Sequence, residues 1–138
     1  PYSVRPYQHV LEPIFAYLLI AQRQCEDKRY SGCYNIGPRE DSCVTTGEIV
    51  STFCRHWNDI MCGNLQWRTE GDGGPHEANF LKLDCSKMKN TFGWKAVWDY
   101  NMAVLKTVEW TKAYIEKGNL PQVMLQQILE YQELKCPQ

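Results

Sequence analysis

Arg5-Pro-Tyr-Gln-His-Val-Leu-Glu-Pro-Ile-Phe-Ala-Tyr-Leu-Leu-Ile-Ala21 is the stretch that decides the fold. Its first half is extended. Tyr2, Val4, Tyr7 and Val10 recur through residues 1–10 while Pro1 and Pro6 interrupt, which suits a sheet edge. Pro13 stands where a helix accepts a residue without an N–H, at its first position. From Ile14 to Ala21 every side of that helix is apolar, which predicts deep packing. A strand feeding a helix points to a mixed α/β domain.

Downstream the alternation continues. Gln22 to Arg29 is polar and ends the first helix. Gly32-Cys-Tyr-Asn-Ile-Gly37 reads as a short strand between glycines, and Pro38 to Ser42 as a polar loop. Thr45 and Glu48 have capping-box spacing, and Ile49, Val50, Phe53 and Trp57 follow at helical intervals. Leu65 and Trp67 alternate as a strand. Gly71-Asp-Gly-Gly-Pro75 is a turn or hinge, and Phe80 to Asp84 a further strand. Asp84 or Ser86 caps a short helix ending before Gly93. A long helix over about Asp99 to Lys117 carries Val104, Val108, Thr111 and Ile115, with Gly118 as its stop. Leu120, Met124, Ile128, Tyr131 and Leu134 mark a last amphipathic helix. Trp57, Trp94 and Trp110 read as core. The order is β-α-β-α-β-β-α-α-α.

Composition narrows the function. At 138 residues the chain is one domain, with no internal repeat or linker. Fifteen Lys+Arg against sixteen Asp+Glu give a net charge of −1, without the basic excess of a nucleic-acid binder. The longest apolar run, Ile14 to Ala21, is far short of the roughly 20 residues of a membrane span. Seven cysteines form no C-x-x-C pair, and Cys54-Arg-His56 is poorly spaced for a metal, so no metal site is expected. Several cysteines fall in apolar segments, as small buried hydrophobes do. With no N-x-S/T sequon, a reducing cytoplasm is the expected compartment.

No motif of self-sufficient catalysis is present. There is no G-x-S-x-G, H-E-x-x-H or P-loop, and no Gly-rich turn that would cradle a dinucleotide. Tyr131 and Lys135 do form Y-x-x-x-K, a pair in which Lys lowers the tyrosine pKa for acid–base work. Tyr131 lies on an apolar stripe, however, which favours packing. No catalytic residue is assigned within this chain.

A set of segments carries a resemblance. They are Arg5 to Pro13, Tyr34-Asn-Ile-Gly-Pro38, Pro75-His-Glu-Ala78, Leu81-Lys-Leu-Asp-Cys-Ser-Lys87, Phe92-Gly-Trp94 and Thr107-Val-Glu-Trp-Thr-Lys-Ala113. In this order and spacing they resemble the C-terminal portion of CDP-glucose 4,6-dehydratases, extended short-chain dehydrogenase/reductases acting on nucleotide sugars. The resemblance implies that residues 1–138 are a substrate-binding C-terminal domain without its Rossmann Gly-rich motif. It implies NAD in the full-length enzyme, held by an N-terminal Rossmann half along with the working Tyr/Lys pair. It implies CDP-glucose as substrate, CDP-4-keto-6-deoxyglucose as product, a place in bacterial deoxysugar synthesis, and a homodimer at full length. Pro1 as first residue, without Met, fits a fragment, which alone is expected to be inactive. Another nucleotide-sugar epimerase or dehydratase, or a non-catalytic binding module, is the alternative.

The resemblance also implies site residues. Arg5 takes the diphosphate, for which a guanidinium offers a planar fork; its competing readings are a surface arginine or an ion pair with Glu12. His76 contacts the nucleotide phosphates, although Gly73 and Gly74 stand where related enzymes carry an arginine. Glu77 accepts from a ribose hydroxyl or caps a loop. Tyr7 stacks on base or sugar, or packs. Asn35, at a strand end where backbone approaches ligand, is a contact or a structural tie.

Overall fold

In a computed structural model, residues 1–70 and 79–135 are described. Two short strands, β1 (Val4–Pro6) and β2 (Cys43–Thr45), are joined with five helices. These are α1 (Leu11–Glu26), α2 (Thr46–Met61), α3 (Ser86–Phe92), α4 (Tyr100–Ile115) and α5 (Leu120–Lys135). The mixed α/β class expected from the sequence holds, with helix predominating.

The ribbon is antiparallel, with Val4 opposite Thr45, Arg5 opposite Val44 and Pro6 opposite Cys43. On the other edge of β1, Val4 N–H donates to Asn79 O at 2.9 Å and Leu81 N–H to Val4 O at 3.2 Å. This is a single parallel bridge between Val4 and Phe80. The expected strand over Phe80 to Asp84 therefore shrinks to one bridge. Pro6 lacks an N–H and cannot extend a ladder. Leu65 and Trp67 form no strand either: the Asn58 side chain takes up both backbone groups of Leu65, at 2.5 and 3.0 Å. Gly32 to Gly37 is likewise not a strand. Extended backbone becomes a strand only where another strand presents donors and acceptors, and none of the described residues does so here. By contrast β2, which the sequence reading missed, gains its status from β1.

Helix ends follow local chemistry. Thr45 Oγ1 accepts from Glu48 N–H at 3.1 Å while Glu48 Oε2 accepts from Thr45 N–H at 2.8 Å, the expected capping box. Asp99 caps α4 by accepting from Met102 N–H at 2.8 Å. Asp84 accepts from Ser86 N–H at 2.9 Å at the start of α3. The left-handed residue after α4 is Lys117, not Gly118. A Cβ at Gly118 would stand 3.3 Å from Ala113 O, a tight approach that glycine avoids. Helix α1 begins two residues before Pro13, which sits in its first turn, and runs on through the polar stretch to Glu26.

The main core gathers Ala16 of α1, Met88 of α3 and Trp94, with Phe15, Leu19, Ile20, Tyr34, Ile36 and Phe92 around them. A second layer forms where α2 meets α4 and α4 meets α5, burying Cys54, Ala103, Val104 and Val108. Of the tryptophans read as core, Trp94 is buried and Trp57 half-buried, whereas Trp110 is exposed. Trp98, on the connection into α4, is buried too. Among the described residues Cys54 and Cys85 are the buried cysteines; Cys25, Cys33 and Cys62 are exposed. The α1 helix departs most from expectation. Ile14, Tyr17 and Leu18 are 43%, 60% and 65% exposed, so only one face is packed.

Candidate functional site

The candidate site is built on β1 and the residues that follow it. Strand side chains alternate, so Arg5 points away from the face carrying Val4 and Pro6, and shares its face with Val44. Arg5 is half-buried, and Nη1 donates to Val4 O at 2.8 Å. Extended geometry persists to Tyr7, whose N–H donates to Ser42 O at 3.1 Å, which puts Tyr7 on the Arg5 side. The Tyr7 hydroxyl is 3.2 Å from Thr46 Oγ1 at the start of α2. Its ring borders a mostly apolar cavity of about 310 Å³ with Val10, Phe53, Tyr100 and Thr107.

Asn35 lies elsewhere. Its Nδ2 donates to Asp84 O at 3.0 Å, tying residues 34–37 to the segment before α3. Beside this tie runs a groove of about 320 Å³ lined by Pro6, Pro38, Glu40, Lys82 and Cys85. It opens on the Pro6 side of the ribbon, opposite Arg5. Lys82 Nζ is 3.4 Å from Glu40 Oε1 across its mouth. The side-chain and backbone hydrogen bonds of Ser86 hold the Asp84 carboxyl below its ordinary range. Burial pushes the Cys85 thiol up. Arg5 and Tyr7 are thus brought together, and Asn35 is not brought to them. His76 and Glu77 lie outside the described residues.

The alternative partner for Arg5 is excluded. Glu12 is fully buried. Its Oε1 accepts from Val97 N–H at 2.8 Å and Trp98 N–H at 2.7 Å, and its Oε2 from Tyr131 hydroxyl at 2.7 Å. This carboxylate joins the first turn of α1, the approach to α4 and the middle of α5. The only sequence signal was a charged residue among apolar neighbours at a helix start, next to Pro13.

The same bond bears on Tyr131 and Lys135. Burial, and then the Glu12 carboxylate, push the Tyr131 phenol far above its ordinary value. An acid–base tyrosine needs the opposite shift. Lys135 Nζ sits over the Trp94 ring at 3.8 Å and donates to Lys95 O. Both side chains are thus engaged in packing and hydrogen bonds, Tyr131 with Glu12 and Lys135 with Trp94 and Lys95.

Another charged cluster adjoins the Tyr7 end. Lys106 Nζ is 2.6 Å from Glu130 Oε2 and 3.0 Å from Glu109 Oε2. Burial opposes its charge, but the two carboxylates prevail and its pKa is raised. His9 packs edge-on against Trp98 with centroids 4.9 Å apart, and its Nδ1 accepts from Leu11 N–H at 3.3 Å. Burial, with Lys106 adding, lowers its pKa to about 4, which leaves the ring neutral at ordinary pH. Among the described residues no group of His, Cys, Asp or Glu is placed to hold a metal ion. Among the described residues no helix is long and apolar enough to cross a membrane. The sequence holds no G-x-x-G-x-x-G or G-x-G-x-x-G turn of the kind that cradles a dinucleotide.

No family model matches the chain. Over 132 residues it is 37% identical to CDP-glucose 4,6-dehydratase from Salmonella typhimurium. That stretch covers 95% of this chain and 36% of the relative, so the chain spans about a third of the length of the protein it matches. The resemblance carried by Arg5 to Pro13 and its companion segments thus extends over nearly the whole chain.

Proposed function

We propose that residues 1–138 are the C-terminal, substrate-binding unit of a nucleotide-sugar dehydratase converting CDP-glucose to CDP-4-keto-6-deoxyglucose. The observation that carries this reading is the 37% identity spread over 95% of the chain. In this reaction the sugar is oxidised at C4, loses water across C5–C6 and is reduced at C6. NAD, bound outside this chain, supplies reversible hydride acceptance. The task of these residues is to hold the nucleotide sugar.

Arg5 presents its guanidinium to the diphosphate from a rigid mount, β1, whose neighbours bracket it on both edges. Tyr7, on the same face, packs beside the nucleotide. His76 and Glu77 complete the phosphate and ribose contacts. Asn35 acts from the far side by holding residues 34–37 on Asp84 O.

The partner of this unit is its own N-terminal Rossmann half. Two features support that assignment. The outer face of α1 (Ile14, Tyr17, Leu18) is an exposed apolar surface. The Gly32 to Gly37 segment has strand composition and meets no strand among the described residues. Both suit docking against a sheet domain, with a homodimer forming at full length and the enzyme working in the cytoplasm.

The test is kinetic. In the full-length enzyme, Arg5→Ala raises KM for CDP-glucose more than it lowers kcat, because diphosphate contacts are made equally in ground and transition states. An unchanged KM rejects Arg5 as a ligand. Steady-state dehydration by the 138-residue chain alone would overturn the placement of the chemistry outside it.

A further inference from the structure

The cavity that Tyr7 borders encloses about 310 Å³, and no charged residue lines it. Its walls are aromatic and aliphatic: Tyr7 after β1, Phe53 of α2, and Tyr100 and Val104 of α4. Pockets of this kind hold an uncharged ring and orient it with a few placed polar groups. A phosphate would find no charge partner on these walls.

His9 supplies the placed group. It lines this cavity and the adjoining one between α4 and α5, and the two share Val10 and Thr107. Its Nδ1 accepts from Leu11 N–H at 3.3 Å, and burial, with Lys106 adding, keeps the ring neutral. The single ring proton therefore lies on Nε2, which is a donor. Among the described residues no atom accepts from it. Nor is it one of the enclosed polar atoms without a partner, which among the described residues are Gln8 Oε1 and Trp94 Nε1. His9 Nε2–H thus keeps open surface, and the open space His9 borders is this pair of adjoining cavities.

Arg5 marks the other end of the ligand. Tyr7 lies on the same side of the extended chain, two residues on. Two extended residues cover about 7 Å, a gap that a ribose bridges between phosphate and base. We propose that the Tyr7 cavity seats the nucleotide base, with His9 Nε2–H donating to N3 of a cytosine. The inference rests on the reading of Arg5 and Tyr7 as nucleotide contacts. Cytosine N3 is an acceptor, whereas uracil carries a hydrogen there. A fixed donor opposite N3 therefore bonds cytosine and meets a second donor in uracil. Tyr7, Phe53 and Tyr100 offer ring surface to either base, so discrimination between the pyrimidines falls to His9.

The test is calorimetric titration of the full-length enzyme with CMP and UMP, run alongside turnover of CDP-glucose. CMP should bind roughly tenfold or more tighter than UMP, because uracil leaves the donor unpaired. His9→Phe keeps a ring against Trp98 and removes the donor, and the two affinities should then come within about threefold of each other. His9→Gln restores an amide donor and should recover most of the preference. Thr107→Trp, at an exposed position on the cavity wall, fills the space and should weaken both nucleotides alike; it serves if the His9 variants do not fold. Equal affinity of the parent for CMP and UMP overturns the proposal, as does failure to bind either. So does a preference unchanged in His9→Phe, or binding unchanged in Thr107→Trp. An enzyme that dehydrates CDP-glucose while its base preference survives His9→Phe keeps the proposed reaction and loses the base site. A preference that depends on His9 in an enzyme that does not dehydrate CDP-glucose keeps the base site and loses the reaction.

Discussion

The two faces of α1 invert what their residue types suggest. On the inner face the most buried side chain is a carboxylate, Glu12, flanked one turn on by Ala16. On the outer face Ile14, Tyr17 and Leu18 meet water. Hydrophobicity alone ranks these faces the wrong way round. Glu12 is stable inside because three donors converge on it; a buried polar group is tolerated once its hydrogen bonds are made. The outer face is bare because no described element lies over it. Burial follows what stands opposite, not the side chain's own preference.

The sharpest way to break this comparison is Glu12→Ala. It strands Val97 N–H, Trp98 N–H and the Tyr131 hydroxyl without their acceptor, and should lower unfolding stability by about 4 kcal/mol. Urea unfolding followed by fluorescence measures it, and a loss near zero would mean that the three donors find other acceptors.

Next in size is the pH response of His9, at the entry to the same helix. Its folded pKa of about 4 lies below its ordinary 6.5, so the unfolded chain takes up the proton first as pH falls. Stability is full above about pH 6.5 and declines toward pH 4. The loss is about 2 kcal/mol, discounted for the ring's remaining contact with water. Thermal melts across this range should show the decline in the parent and a flatter curve in His9→Gln.

Tyr131→Phe trims a single bond from Glu12 while keeping the ring against Phe15 and Trp98. About 1.5 kcal/mol should go. A loss matching that of Glu12→Ala would assign the whole hub to the α5 contact.

Smallest of all is Leu18→Gln on the outer face, expected within about 0.5 kcal/mol of the parent in the isolated chain. Light scattering should show less self-association, because an exposed apolar patch is reduced. A large stability loss instead would show that Leu18 is packed in solution.

The candidate site was legible in unequal parts. Arg5 on an extended mount could be read from Pro6 and the alternation around it. Its company could not: β2 becomes a strand only through pairing 39 residues away, Val44 opposite Arg5. The placement of Asn35 on the other side of the ribbon depends on Asp84, also distant along the chain.

Local chemistry, readable from the chain alone, set the helices and several of their ends. The Thr45–Glu48 box, the Asp99 cap and the apolar spacing of α2 act within a few residues, so neighbours in sequence suffice to specify them. The run of segments from Arg5 to Ala113 was likewise enough to point to the nucleotide-sugar dehydratases. Tertiary structure alone decided which face of α1 is inside and that residues 32–37 meet no strand among the described residues. It alone decided that Tyr131 anchors a carboxylate rather than working with Lys135. The reason is distance along the chain: Glu12 meets Val97 across 85 residues and Tyr131 across 119, and no local pattern encodes a contact that only folding brings about.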